Sequence, residues 1–253
     1  MNKFVFNKKQ KKLLSIAALI LLLLTAGFIL LYSFGLTHIH FIPELPNKEQ
    51  IKVACVGDSV TYGYGLANWE ENSYPAVLQN MLGDDYNVMN FGMSGYCVQE
   101  TSDRPYVSTE AYEMSINYEA DIVVFMLGSN DSKTFNWQGR EHFVDAFNKL
   151  LNDYKSSRII LCTPATAFYI DENSEVSRDD DDGVTTFEIQ PSIIEEIADI
   201  VRGIALECDY PLVEINDLTH DHPEWFSVDG THPNEDGAKA IAEAVYEKLV
   251  KSQ

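Results

Sequence analysis

The stretch Ile51-Lys-Val-Ala-Cys-Val-Gly-Asp-Ser-Val-Thr61 (IKVACVGDSVT) decides the fold. Residues 51–56 are mostly apolar and do not alternate with polar side chains as a half-solvated strand would. Stopped by Gly57 and a polar pair, such a run reads as a parallel strand covered on both faces. Similar runs return at 86–90, 122–127, 158–163 and 211–215. Between them lie segments with apolar residues at helical spacing: 74–82, 141–154, 192–208 and 235–251. Strands alternating with helices argue for an open, doubly wound α/β sheet of about five parallel strands. Ligands of such sheets sit in the crevice beyond the carboxyl ends of the strands. The residues that end each run are therefore where chemistry is sought.

Three runs end in small, polar loops: Gly57-Asp58-Ser59-Val60-Thr61, Asn90-Phe91-Gly92-Met93-Ser94-Gly95 and Gly128-Ser129-Asn130-Asp131. A fourth block, Asp229-Gly230-Thr231-His232-Pro233-Asn234, stands just before the last helix. A serine hydroxyl needs an adjacent base to act as a nucleophile. An Asp-x-x-His turn can set a carboxylate against an imidazole, fixing its tautomer and stabilising the imidazolium. Any one block is an ordinary turn; a helix N-cap would explain Ser59, and a turn former Asn130. In order, spacing and context, however, the four blocks together resemble the GDSL or SGNH hydrolase superfamily, over about residues 52–249. The resemblance implies a three-layer, flavodoxin-like SGNH hydrolase fold. It makes Ser59 the nucleophile, His232 the base and Asp229 its partner. It also implies an oxyanion hole from the backbone N–H of Ser59, a glycine N–H of the second block, mapped to Gly92, and the side-chain amide of Asn130. Asp58 and Asp131 are expected to hydrogen-bond loop backbone. The Gly-x-Ser-x-Gly elbow of the α/β-hydrolases, a Walker-type phosphate loop and a metal-binding helix motif have no match in the sequence. Neither a metal nor a cofactor is implied.

The 253 residues also divide by charge. Lys3, Lys8, Lys9, Lys11 and Lys12 precede an uncharged run, residues 13–36, and no acid occurs in this part. At helical rise, these 24 uncharged, mostly apolar residues exceed the roughly 20 that cross a bilayer core. A signal peptide usually has a shorter apolar region and a small-residue cleavage site. The expected organisation is a cytoplasmic basic segment (1–12), a transmembrane anchor (13–36), a tether (37–50) and a hydrolase domain (51–253). The lysines before the span place the N-terminus in the cytoplasm and the domain outside, at the cell membrane. Removing those five lysines leaves 13 Lys and Arg against 39 Asp and Glu, a net of −26. So acidic a domain argues against a nucleic-acid partner. The acidic loop 171–184 fails the calcium-loop template, because Arg178 and Ile189 fall where ligands belong. Cys97 and Cys208 could pair in principle, but unpaired thiols are the expectation. His38 and His40 lie in the tether, and His142, His220 and His222 carry no catalytic context.

Within the superfamily, the sequence around these blocks looks most like the small bacterial carbohydrate O-acetylesterase branch. The expected activity is hydrolysis of short acyl esters, acetyl first, on a small molecule or glycan, through an acyl-enzyme. The negative domain suits neutral glycans. Loop aromatics (Tyr62, Tyr64, Trp69, Tyr96, Phe135, Trp137 and Trp225) are candidates for stacking on sugar rings. The alternatives are a lysophospholipase or thioesterase, an O-acyltransferase using the same site, and a non-catalytic glycan-binding domain.

Overall fold

The computed structural model describes residues 8–33, 49–171, 176–177 and 185–251. A first helix, α1 (Lys8–Ser33), precedes the domain. Five strands, β1 (Ile51–Gly57), β2 (Tyr86–Gly92), β3 (Ile122–Met126), β4 (Arg158–Cys162) and β7 (Leu212–Val213), form one parallel sheet in the order β2-β1-β3-β4-β7. A two-stranded antiparallel ribbon, β5 (Tyr169–Ile170) and β6 (Val176–Ser177), lies apart from it. Most of the expected tether, residues 37–48, lies outside the described residues, as do 34–36 at the end of the expected span and 178–184 of the acidic loop.

Buried side chains leave the strands on alternate faces, as the pleat requires. Ala54, Val56, Val123, Phe125 and Leu161 pack against α6 (Arg140–Asn152) and α7 (Pro191–Cys208). Val53, Cys55, Val124, Met126 and Ile160 face the other way, onto α4 (Tyr74–Leu82) and α9 (Glu235–Lys251). Both faces are therefore dry, which explains why the strands read as nearly continuous apolar runs. The three layers are the doubly wound sheet that the sequence predicts.

Four short helices were not expected: α2 (Ser59–Tyr62), α3 (Trp69–Asn72), α5 (Glu110–Asn117) and α8 (Ile215–His220). The fifth strand is shorter than expected because Ile215 already opens α8. Register brings the site together: Gly57 at the end of β1 pairs with Gly92 on one side and Met126 on the other. The loops following β1, β2 and β3 thus leave the same sheet edge side by side. Among the described residues Cys55, Cys97, Cys162 and Cys208 are all free thiols.

Candidate active site

Ser59 is the first residue of α2, directly after β1. Asp58 caps that helix, its Oδ1 accepting the Val60 N–H at 3.0 Å. As an opening residue, Ser59 has no acceptor for its own N–H within the helix. That helix sits close against the sheet because Gly57 and Gly92 lack side chains. A Cβ on Gly57 would lie 1.9 Å from Thr61 Oγ1, and one on Gly92 only 2.3 Å from the Tyr62 nitrogen.

His232 reaches Ser59 from the loop before α9. Its Nε2 lies 2.9 Å from Ser59 Oγ, and its Nδ1 lies 2.7 Å from Asp229 Oδ2. The second oxygen of Asp229 accepts the backbone N–H groups of Thr231 and His232, both at 2.9 Å. The Asp-x-x-His spacing thus closes a tight turn in which the carboxylate holds backbone and imidazole together. Gly230, at φ +65°, sits where a Cβ would meet the Phe168 carbonyl oxygen at 2.8 Å, so only glycine fits. Burial alone would raise the Asp229 carboxyl. The hydrogen bond and charge of His232 outweigh it and hold Asp229 well below the usual carboxylate range. Tyr64 packs on the imidazole at 4.6 Å between ring centroids, and Phe187 stands edge-on to it at 5.3 Å.

Asn130 begins the short turn after β3 and is 5% exposed. Its Nδ2 donates to the Tyr96 carbonyl at 3.2 Å, which orients the amide of a side chain that lines the crevice. Asp131 beside it accepts the N–H groups of Val98 and Gln99, each at 2.9 Å, tying the loops after β2 and β3 together. Asp58 and Asp131 both hold loop backbone, as expected. Burial pushes the Asp131 carboxyl up to about 7, against those two bonds.

Gly92 is where the geometry departs from the sequence reading. It is the last residue of β2, its N–H donates to Asn90 Oδ1 at 2.9 Å, and it faces the backbone of α2. Its lack of a side chain serves helix packing and leaves its N–H committed. Gly95, three residues on at φ +88°, lines the crevice with Ser59, Asn130 and His232. Among the described residues the Gly95 N–H has no hydrogen-bond acceptor. The signal that separates the two glycines is the chain's path after β2, which spacing alone does not carry.

The crevice, of about 280 Å³, also takes in Arg104, Lys133 and Phe187, none of which the sequence singled out. Of the candidate stacking aromatics only Tyr64 lines it. Tyr62 and Trp69 stack on each other at 4.7 Å in the interior, Trp137 packs on Phe143, and Trp225 stacks on His222. His142 is exposed on α6, away from the crevice. Among the described residues no group of three or more His, Cys, Asp or Glu is placed to hold a metal ion.

A parallel sheet in the order β2-β1-β3-β4-β7 whose carboxyl edge carries serine, histidine and aspartate in hydrogen-bonded series defines the SGNH hydrolase class. Within that class the chain belongs to the GDSL-like lipase/acylhydrolase family, whose model matches residues 55–240. An acetylxylan esterase of Xylanibacter ruminicola is 31% identical over 221 residues, covering 79% of this chain and 43% of that protein. The chain thus spans less than half the length of this curated relative. Among solved structures, a carbohydrate acetylesterase from Sinorhizobium meliloti superposes with a TM-score of 0.64 at 18% identity, over 81% of this chain and all of that one. A lipase/acylhydrolase from Enterococcus faecalis gives 0.61 at 19%, over 79% and 96%. At such identities these two likenesses speak for the fold.

Proposed function

We propose that this chain is a serine esterase that removes short acyl groups, acetyl foremost, from carbohydrate. The observation that carries the reading is the unbroken series Ser59 Oγ, His232 Nε2, His232 Nδ1 and Asp229 Oδ2, with contacts of 2.9 and 2.7 Å, opening into a crevice. In the first step His232 Nε2 takes the Ser59 proton as Oγ bonds to the ester carbonyl carbon. Asp229 remains ionised and stabilises the imidazolium. The oxyanion is held by the N–H groups of Ser59 and Gly95 and by the Asn130 amide, with Gly95 in the place that the sequence reading gave to Gly92. Collapse breaks the bond to the sugar oxygen, which leaves with the proton from His232. Water, deprotonated by His232, then attacks the acyl-enzyme, and the carboxylic acid departs as Ser59 regains its proton.

The acyl size follows from what stands behind Ser59. An apolar recess lined by Val60, Leu66, Pro233 and Ile241 is too narrow to admit a sphere the size of water. A long acyl chain has no room there, while the crevice that Ser59 also lines is open. The name of the Xylanibacter relative supports an acetylated polysaccharide as the substrate class. We further propose that α1 spans the cell membrane with its lysine-bearing end in the cytoplasm, so that the hydrolase domain works outside. Released nitrophenolate from p-nitrophenyl acetate tests the core of the reading. The native protein should hydrolyse it, and Ser59→Ala should lower the rate by at least about a thousandfold. Equal rates in the two proteins would remove Ser59 from the chemistry.

A further inference from the structure

The wall of the crevice is charged oppositely to the domain around it. Beyond residue 36 acids outnumber Lys and Arg 39 to 13, yet Arg104 and Lys133 both line the crevice that holds Ser59 and His232. The acid on the same wall is Asp103, whose Oδ1 accepts the Asn136 amide at 2.8 Å. Among the described residues neither cation has an ion-pair or side-chain hydrogen-bond partner. Arg202, elsewhere on the surface, shows the contrast: it holds three carboxylates, Asp199, Glu214 and Asp217, at 2.6 to 2.9 Å. Where acids are in threefold excess, two cations in one crevice with no ion-pair partner among the described residues make a place for an anion from outside.

Both cations stand on fixed backbone. The Arg104 carbonyl accepts the Cys97 N–H at 2.8 Å, and the Lys133 carbonyl accepts those of Asn136 and Trp137 at 2.8 and 2.9 Å. Asn136, 1% exposed, links the two segments: its amide donates to Asp103 Oδ1 at 2.8 Å and to the Asn130 carbonyl at 3.2 Å, and its Oδ1 accepts the Asp103 N–H at 3.0 Å. The Arg104 guanidinium lies over Gly95, since a Cβ there would stand 3.3 Å from Nη1. The cations therefore line the open crevice and not the closed apolar recess, which Ser59 also borders.

We propose that Arg104 and Lys133 form an anion subsite for the sugar, and that the preferred substrate is an acylated uronic acid, a glycan unit bearing its own carboxylate. The proposal rests on the esterase reading above and replaces the neutral glycan that net charge alone suggests. The planar fork of an arginine suits a carboxylate, and a lysine beside it adds a point charge without demanding one orientation. The domain's net charge opposes an anion only at a distance, where 0.15 M salt screens it beyond about 8 Å. Inside the crevice two cations stand against one exposed carboxylate, Asp103, which a neutral amide holds in place.

The test uses a pair of acetylated methyl glycosides, glucuronate and glucose, which differ only in the C6 carboxylate. The full-length native protein should show a kcat/KM about tenfold higher for the glucuronate, through KM, with the ratio shrinking as salt rises. The double variant Arg104→Gln/Lys133→Gln should bring the ratio close to one, and Arg104→Lys/Lys133→Arg should restore most of it. The ratio cancels any loss of folded enzyme common to both substrates. A native ratio near one, or a ratio that survives the glutamine variant, overturns the proposal. If the esterase reading itself is wrong, the native protein fails on p-nitrophenyl acetate as well, and both fall together.

Discussion

Gly92 and Gly95 stand three residues apart and do different work. A methyl on Gly92 would collide with the Tyr62 nitrogen at 2.3 Å, a backbone atom that cannot swing aside. Gly92→Ala should therefore cost about 1–3 kcal/mol or more in stability, seen as a lower melting temperature, while folded protein keeps its kcat. A variant as stable as native but a hundredfold slower would return the Gly92 N–H to the oxyanion hole. Asn130→Ala should show the opposite pattern, a kcat lower by roughly 10²–10³ with KM little changed. The juxtaposition of Ser59, His232, Asp229 and Asn130 was legible in the sequence because each side chain brings its own functional atom. The glycine N–H proposed for the oxyanion hole was not. Which N–H faces the crevice depends on Asn90 capturing that of Gly92 and on the positive φ at Gly95. Arg104 was equally silent, since nothing in its neighbours' identities says that its head lies over Gly95.

At the scale of elements, the strands and long helices declared themselves through burial on both faces and through helical periodicity. The short helices α2, α3 and α8 span four to six residues each, too few for a periodic signal, and they form because packing holds them. They matter to specificity. Leu66, in the loop between α2 and α3, is 5% exposed and closes the apolar recess behind Ser59. Leu66→Ala should open it, raising the rate on p-nitrophenyl butyrate relative to acetate by about ten- to a hundredfold, as one or two methylenes of room allow. An unchanged chain-length profile would place the acyl group elsewhere. The loops after β2 and β3 are joined through Asp131, and that joint is pH-sensitive. Its folded carboxyl is raised to about 7 by burial, above its ordinary value near 4 when unfolded. The native fold therefore binds this proton more tightly than the unfolded chain. Its contribution to stability is full below about pH 4 and is lost as pH rises through about 7. Melting temperatures of the native protein, taken relative to Asp131→Asn, should fall between pH 4.5 and 7.5. A rising difference would mean that the two backbone N–H groups dominate instead.

The whole molecule joins two parts with opposite needs. In α1, thirteen large apolar side chains from Leu13 to Leu31 are 47% to 69% exposed, and none of its most apolar 18-residue window is buried. At about 25 cal/mol per Å², so much uncovered apolar surface is costly in water and stabilising in hydrocarbon. The domain beyond is strongly acidic, and its core is closed on both sheet faces without help from α1. Among the described residues Tyr32 joins them. The Trp69 indole donates to the Tyr32 carbonyl at 3.0 Å, and the Tyr32 hydroxyl donates to Glu70. Tyr32 also packs edge-on to Trp69 at 6.0 Å between centroids. Trp69 in turn stacks on Tyr62 of α2, the helix that Ser59 opens, so the end of α1 meets the domain with one side chain between it and that helix. An anchored enzyme built this way should hold its crevice at a set height above the bilayer. The full chain should sediment with membranes and resist carbonate extraction, whereas residues 49–251 should remain in the supernatant and still hydrolyse p-nitrophenyl acetate. On the proposed topology, with the lysine-bearing end inside, external protease on intact cells should remove the activity. Full-length protein released by carbonate, or activity protected until the cells are lysed, would overturn the topology. Trp69→Ala separates the brace from the anchor: the protein should stay in the membrane but act more slowly on acetylated polymer than on p-nitrophenyl acetate, which needs no fixed height to reach Ser59.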